Sequence, residues 1–228
     1  MYDAMMLYGS FARGDFTETS DIDLLQIKQS GRPFSVRRGN VELQVMPAGK
    51  LLEMAREGDL FALHLALEGQ TIFDPSGFFS NFRESITVQK NYDQPRRRAS
   101  DLGWFLIDQA KSADPCIINR RFAWCARTIL ISLAVERGRF LFSPTSLEKE
   151  FPESFVRRVL SLRRSSSTSK SREDALEHIL LRYGYQRPAL ETVVDFENHF
   201  SATRNDVALS TLATLFKRES RQTSNSYS

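Results

Sequence analysis

The chain has 228 residues, of which 41% are hydrophobic and 26% charged, with a net charge of +3; this suits one large globular domain or two small ones. No apolar run approaches the roughly eighteen residues of a membrane span, and Met1-Tyr2-Asp3 does not begin a charged-then-apolar leader, so a cytoplasmic protein is predicted. Cys116 and Cys125, separated by eight residues and without histidine partners, do not form a zinc signature and are expected as buried, reduced thiols.

In chain order, the first strand is predicted at Ala4–Tyr8, then a Gly9-Ser10 turn entering a short helix, a strand over Asp21–Ile27, a break at Gly31 and Pro33, and a strand over Val41–Met46. Helical spacing follows over Ala48–Glu57 and Asp59–Glu68, with Asp59 as N-cap, and Thr71–Phe73 reads as an edge strand before Asp74-Pro75. From Gly77 the pattern is helical: Gly77–Gln89, Arg96–Ser112, Asp114–Arg137, a helix opened by Ser143-Pro144, and Glu153–Arg163. A serine-rich loop at Ser165–Ser171 precedes helices at Arg172–Tyr183, Pro188–Phe200 and Asn205–Glu219. The resulting expectation is an α+β fold: a small mixed-sheet domain over residues 1–75, an all-helical bundle over 76–219 and a disordered tail over 220–228.

The chemistry concentrates between Leu7 and Ile27, LYGSFARGDFTETSDIDLLQI. Asp21 and Asp23 alternate with Ile22 and Leu24, so on a strand their carboxylates share one face, with the apolar pair expected toward the core. Adjacent carboxylates repel, and a divalent cation is the usual remedy; Mg²⁺ takes hard oxygen ligands and commonly keeps one or two protein carboxylates plus substrate phosphates. Gly9 permits close backbone approach, and Ser10 offers a hydroxyl and an N–H to a phosphate. Strand, phosphate turn and acidic strand together point to nucleotide handling.

Gly9-Ser10, Ala12-Arg13-Gly14 and Ser20-Asp21-Ile22-Asp23-Leu24 resemble the signature of the DNA polymerase β nucleotidyltransferase superfamily, especially its minimal nucleotidyltransferases and aminoglycoside adenylyltransferases. The resemblance implies a third carboxylate on a following strand, for which Glu42 in Val41-Glu42-Leu43-Gln44-Val45 is the candidate; the other reading of Glu42 is a solvent-facing strand residue. It implies catalytic and metal-binding roles for Asp21, Asp23 and Glu42, two Mg²⁺ ions, and ATP as donor gripped by Gly9, Ser10, Arg13 and Ser20. Arg13 has a second reading as a surface partner of Asp15.

The implied reaction moves a nucleoside monophosphate, AMP from ATP, from an NTP to a hydroxyl. A protein or RNA acceptor in a toxin–antitoxin or defence setting comes first, a small molecule such as an aminoglycoside second, and a non-catalytic nucleotide-binding regulatory module stands as a different class. Arg96-Arg97-Arg98, Arg120-Arg121, Arg157-Arg158 and Arg163-Arg164 suit a nucleic-acid backbone, or form solvated helix faces paired with nearby acids. Arg172 and His178 have the spacing of the Arg-x(4–6)-His signature of helical ribonuclease domains in related defence modules, although ordinary helix positions are the default reading in so arginine-rich a chain. His64 and His199 read as core or boundary residues.

Overall fold

A computed structural model describes residues 4–166 and 168–224. The chain divides into two compact units, the first ending at Lys90 and the second beginning at Asn91.

The first unit is a five-stranded mixed sheet with helices on one face. Its strands are β1 (Ala4–Tyr8), β2 (Ile22–Lys28), β3 (Phe34–Arg38), β4 (Val41–Pro47) and β5 (Gln70–Phe73), in the spatial order β3-β4-β2-β1-β5. Only β2 and β4 run parallel; the other neighbours are antiparallel. The helices are α1 (Gly9–Arg13), α2 (Ala48–Arg56), α3 (Leu60–Glu68) and α4 (Phe78–Glu84). Asp59 caps α3 as expected, its carboxylate accepting from the Phe61 and Ala62 N–H groups.

Two expectations change here. β3 falls where the sequence suggested only a break at Gly31 and Pro33. All five of its residues are exposed, so no buried apolar alternation announced it; the legible signal is Gly39-Asn40, a two-residue hairpin connection between paired Arg38 and Val41. The unit boundary also lies beyond Pro75, because α4 packs Phe78, Phe79 and Phe82 into the same core as Met6, Leu25 and Leu51. Helix α4 is shorter than the predicted Gly77–Gln89, ending at Glu84. Beyond it the chain turns back, and Thr87 N–H bonds to the Ala55 carbonyl.

The second unit is helical. It contains α5 (Asp93–Gln109), α6 (Pro115–Glu136), α7 (Pro144–Glu150), α8 (Ser154–Ser161), a 3₁₀ turn at Leu162–Arg164, α9 (Ser171–Tyr183), α10 (Val193–Ala202) and α11 (Asp206–Ser224). The long α6 is central: Phe122, Cys125, Ala126, Ile129 and Leu130 are all fully buried. Its start is set by Asp114, which accepts from Cys116 N–H, with Pro115 at the first helical position. Helix α10 begins at Val193 instead of Pro188, because Thr192 and Asp195 form a reciprocal capping box there. Helix α11 continues through Ser224 where a tail from residue 220 was predicted; Arg218, Arg221 and Gln222 are good helix formers. Residues 225–228 of that predicted tail, and Ser167 of the serine-rich loop, lie outside the described residues.

Candidate active site

The acidic residues gather at one end of the parallel pair β2/β4. In the sheet register Glu42 faces Asp23, Arg37 faces Glu42 from the other side, and Tyr8 faces Asp23 from β1. Four strands thus place Arg37, Glu42, Asp23 and Tyr8 in one row, with neighbours about 4.8 Å apart along the hydrogen-bonding direction. Asp21 lies just before β2, where the Ile22 N–H bonds to the Asn40 carbonyl at 2.7 Å and ties the β3–β4 hairpin to the acidic segment. Asp21 Oδ2 is 2.5 Å from Arg37 Nη2, and the same nitrogen is 3.9 Å from Glu42 Oε2.

The face carrying this row differs from the one expected. Leu25 and Ile27 are fully buried, whereas Ile22 and Leu24 are only half-buried. Asp21 and Asp23 therefore share parity with the core residues, and the carboxylates continue the helix-covered face to its rim. The strand is apolar on both faces over Leu24-Leu25, so alternation alone could not choose between them.

Gly9 sits against the carboxylate. Its φ is +74°, and a Cβ at this position would overlap Asp23 Oδ2, so both backbone conformation and space demand glycine. The strand-to-helix turn thereby brings main chain directly against Asp23. Ser10 follows in the first turn of α1, partly buried, its carbonyl accepting from the N–H groups of Gly14 and Asp15.

Arg13 and Ser20 serve the framework in this structure. The Arg13 guanidinium bonds Glu68 at 2.8 Å and pairs with Asp15 at 3.1 Å, so α1 is strapped to α3. Burial pulls the Arg13 pKa down, but hydrogen bonds to Glu68 and Asp15 outweigh it and leave it raised. Glu68 receives His64 Nε2 at 3.0 Å as well; burial pushes its pKa up, and the bonds from His64 and Arg13 hold it below the ordinary value. Ser20 is buried and its hydroxyl accepts from Thr17 N–H at 2.8 Å, closing the loop ahead of the acidic segment.

Asp21, Asp23 and Glu42 supply hard carboxylate oxygens of the kind Mg²⁺ takes. Asp21 lies 2.5 Å and Glu42 3.9 Å from one nitrogen, Arg37 Nη2, and carboxylate oxygens beside a cation are donors of a type that fits a divalent ion. Among the described residues, no three or more His, Cys, Asp or Glu side chains are closed into a metal-holding group as they stand. Arg37 was the site residue that the sequence reading missed; its place depends on the pairing of β3 with β4, for which the Gly39-Asn40 turn was the local sign.

In the helical unit several of the clustered arginines have local partners. Arg96 pairs with Glu136 at 2.7 Å and with Asp93, Arg97 lies 4.0 Å over the Tyr185 ring, and Arg98 donates to the Thr203 carbonyl. Arg157 pairs with Glu148. Arg121 is pushed down by burial, with Arg120 adding to the effect. Arg172 is buried, donating to Asn119 Oδ1 at 2.8 Å and the Ala110 carbonyl at 2.9 Å. His178 instead is exposed, bonded to the Asp174 carbonyl and stacked on Phe155, so the two residues of the ribonuclease-like spacing serve different surroundings. His199 meets Asp101 at 2.8 Å. Cys125 is buried, which pushes its thiol up, but Cys116 is exposed at the start of α6, contrary to expectation.

The site is an acidic row on a mixed sheet, flanked by a glycine turn. Residues 3–51 match the nucleotidyltransferase domain family. The matched stretch runs from β1 into α2, so this part of the N-terminal unit is similar to nucleotidyltransferase domains, consistent with the polymerase β-like superfamily. Among solved structures, a nucleotidyltransferase-like protein from Exiguobacterium sibiricum 255-15 is 15% identical, with 96% of this chain and 86% of that one covered and a TM-score of 0.35. No curated protein matches the chain. Among the described residues no helix is long and apolar enough to cross a membrane.

Proposed function

We propose that the protein is a Mg²⁺-dependent nucleotidyltransferase that moves a nucleoside monophosphate, AMP from ATP, onto a hydroxyl. The observation that carries this reading is the row in which Glu42 faces Asp23 across parallel strands while the Gly9 turn abuts the Asp23 carboxylate. Asp21, Asp23 and Glu42 are the residues to hold two Mg²⁺ ions. Bound there, the metal neutralises charge on the triphosphate and on the oxygens that attack and leave the α-phosphorus.

The chain's own groups do the rest. The Gly9 backbone and Ser10 orient the β- and γ-phosphates beside the acidic rim. Glu42, more exposed than Asp21, either completes the second metal site or takes the proton of the acceptor hydroxyl as its oxygen attacks the α-phosphorus and pyrophosphate leaves. Arg13, engaged by Glu68 and Asp15, holds the turn in place instead of contacting the leaving group.

For the acceptor, a protein hydroxyl comes ahead of RNA, because the Arg96–Arg98 cluster that favoured RNA is paired within its own unit. The test is label transfer from each α-³²P NTP with Mg²⁺ to lysate protein, total RNA and an aminoglycoside panel. Labelled product and pyrophosphate release should fall on the order of a hundredfold or more in Asp23→Ala. Transfer that is indifferent to this substitution would overturn the assignment of the site, and nucleotide binding without turnover on any acceptor would move the domain to a regulatory binding role.

A further inference from the structure

Among the described residues, a side chain of the protein itself already places a cation at the acidic rim. Arg37 lies on β3, an edge strand exposed along its length, and its own side chain is 44% exposed. A guanidinium so placed could point into solvent without cost. Instead Nη2 reaches Asp21 Oδ2 at 2.5 Å and approaches Glu42 Oε2 at 3.9 Å, binding carboxylates contributed from two strands' ends. Arg38, with the same charge and the opposite parity on that strand, faces Val41 in the register and forms no such pair.

We infer that Arg37 is a built-in counter-cation of the acidic cluster, competing with the divalent ion for Asp21 and Glu42. The inference rests on the proposed metal-dependent reading and deepens it by assigning how the site stays charge-balanced before metal arrives. The physical argument is mutual exclusion. The guanidinium meets carboxylates that the proposed reading assigns to the divalent ion, and a second cation at ion-pair distance repels the first. Because both side chains of the pair are partly solvent-exposed, its strength is modest, which makes it displaceable. The β3–β4 hairpin is the element that delivers this cation, and the Ile22–Asn40 hydrogen bond fixes the hairpin's tip to the start of β2.

The test is Mn²⁺ affinity of the full-length protein, read by titration calorimetry or by the electron paramagnetic resonance signal of free Mn²⁺, with no nucleotide present. Arg37→Gln should bind Mn²⁺ about threefold to tenfold tighter than wild type. Arg38→Gln removes the same charge from the neighbouring position and serves as the control for general electrostatics; it should change affinity less than about twofold. Arg37→Lys, which keeps the charge on a compact, more strongly hydrated donor, should lie near wild type. Equal tightening in Arg37→Gln and Arg38→Gln, or no tightening in either while Asp21→Asn still weakens Mn²⁺ binding, overturns the counter-cation role and leaves the metal site standing. Mn²⁺ binding that is absent, or indifferent to Asp21→Asn, overturns the metal reading itself and this inference with it. Both positions are exposed, so the variants should fold, and unchanged circular dichroism checks that they do.

Discussion

The two units use charge in opposite ways. In the N-terminal unit three carboxylates stand at the rim of a sheet face, answered by a half-exposed arginine on an edge strand. In the helical unit the prominent charged groups are consumed by structure: Arg172 is buried on Asn119 and the Ala110 carbonyl, Arg96 is held by Glu136 and Asp93, and Asp101 is held by His199. A cluster of like charge whose partners are weak and displaceable is ready for a ligand; one whose members each have a local partner is part of the frame. The density of arginine in the second half of the sequence did not disclose these local pairings, while the glycine and aspartates of the first half pointed to residues that do meet, at Gly9 and Asp23.

The sharpest way to break this contrast is at Gly9. Alanine there must adopt φ near +74° and place a Cβ onto the Asp23 carboxylate. We expect Gly9→Ala to lower nucleotidyl transfer on the order of a hundredfold, since displacing a reacting group by about 1 Å has that consequence. Gly14→Ala is the matched control: Gly14 has φ +78° but nothing within 4 Å of its Cβ position. It should lower the melting temperature through backbone strain of about 1 kcal/mol and leave the rate per folded molecule near wild type. Equal losses of rate in both would mean that backbone strain, not the Asp23 contact, governs the turn.

The same site shows what a single sequence makes legible. Glycine turn, aspartate spacing and the Glu42 strand could be read because each obeys a local rule: positive φ, period two, apolar flanks. Arg37 could not, because its meaning depends on a long-range pairing that brings β3 alongside β4 and β4 alongside β2. Nor could the face of Asp23, since Leu24 and Leu25 give neighbouring parities equal apolar weight and only the helices decide which is covered. In the second unit, helix existence was readable from spacing, but the start of α10 was set by a Thr192–Asp195 cap that outcompeted Pro188. The extent of the first unit was hidden in the same way: Phe78, Phe79 and Phe82 have the pattern of any amphipathic helix, and the sequence does not say which core they enter.

A second test addresses the helical unit through Arg172. Replacing it with methionine preserves much of the apolar stem but removes the donors to Asn119 and Ala110, leaving buried acceptors unsatisfied. The expected cost is about 3 kcal/mol, seen in urea or thermal unfolding as a loss of roughly 6–12 °C. Below the melting range, nucleotidyl transfer by Arg172→Met should match wild type. A variant with wild-type stability and lost activity would instead place Arg172 in a site, and the contrast between the units would fail at its firmest point.

The smallest expected effect lies where the first unit behaves like the second, in the Arg13–Glu68–His64 strap. Glu68 has a folded pKa held below its ordinary value, after burial is outweighed by the bonds from His64 and Arg13. A depressed carboxylate pKa means that the folded state binds its proton less tightly than the unfolded chain. Its stabilisation is therefore fully present above the unfolded value, about pH 4.3, and is lost as pH falls through the lower folded one. Glu68→Gln should accordingly be less stable than wild type by about 1 kcal/mol at pH 7, the scale of one partly exposed ion pair. The gap should narrow as pH is lowered below about 4. Urea unfolding of both proteins at pH 7 and pH 3 reads this directly. A gap that persists unchanged at the lower pH would show that Glu68 acts through packing or through its hydrogen-bond geometry. The strap would then orient the Gly9 turn without drawing stability from its charge.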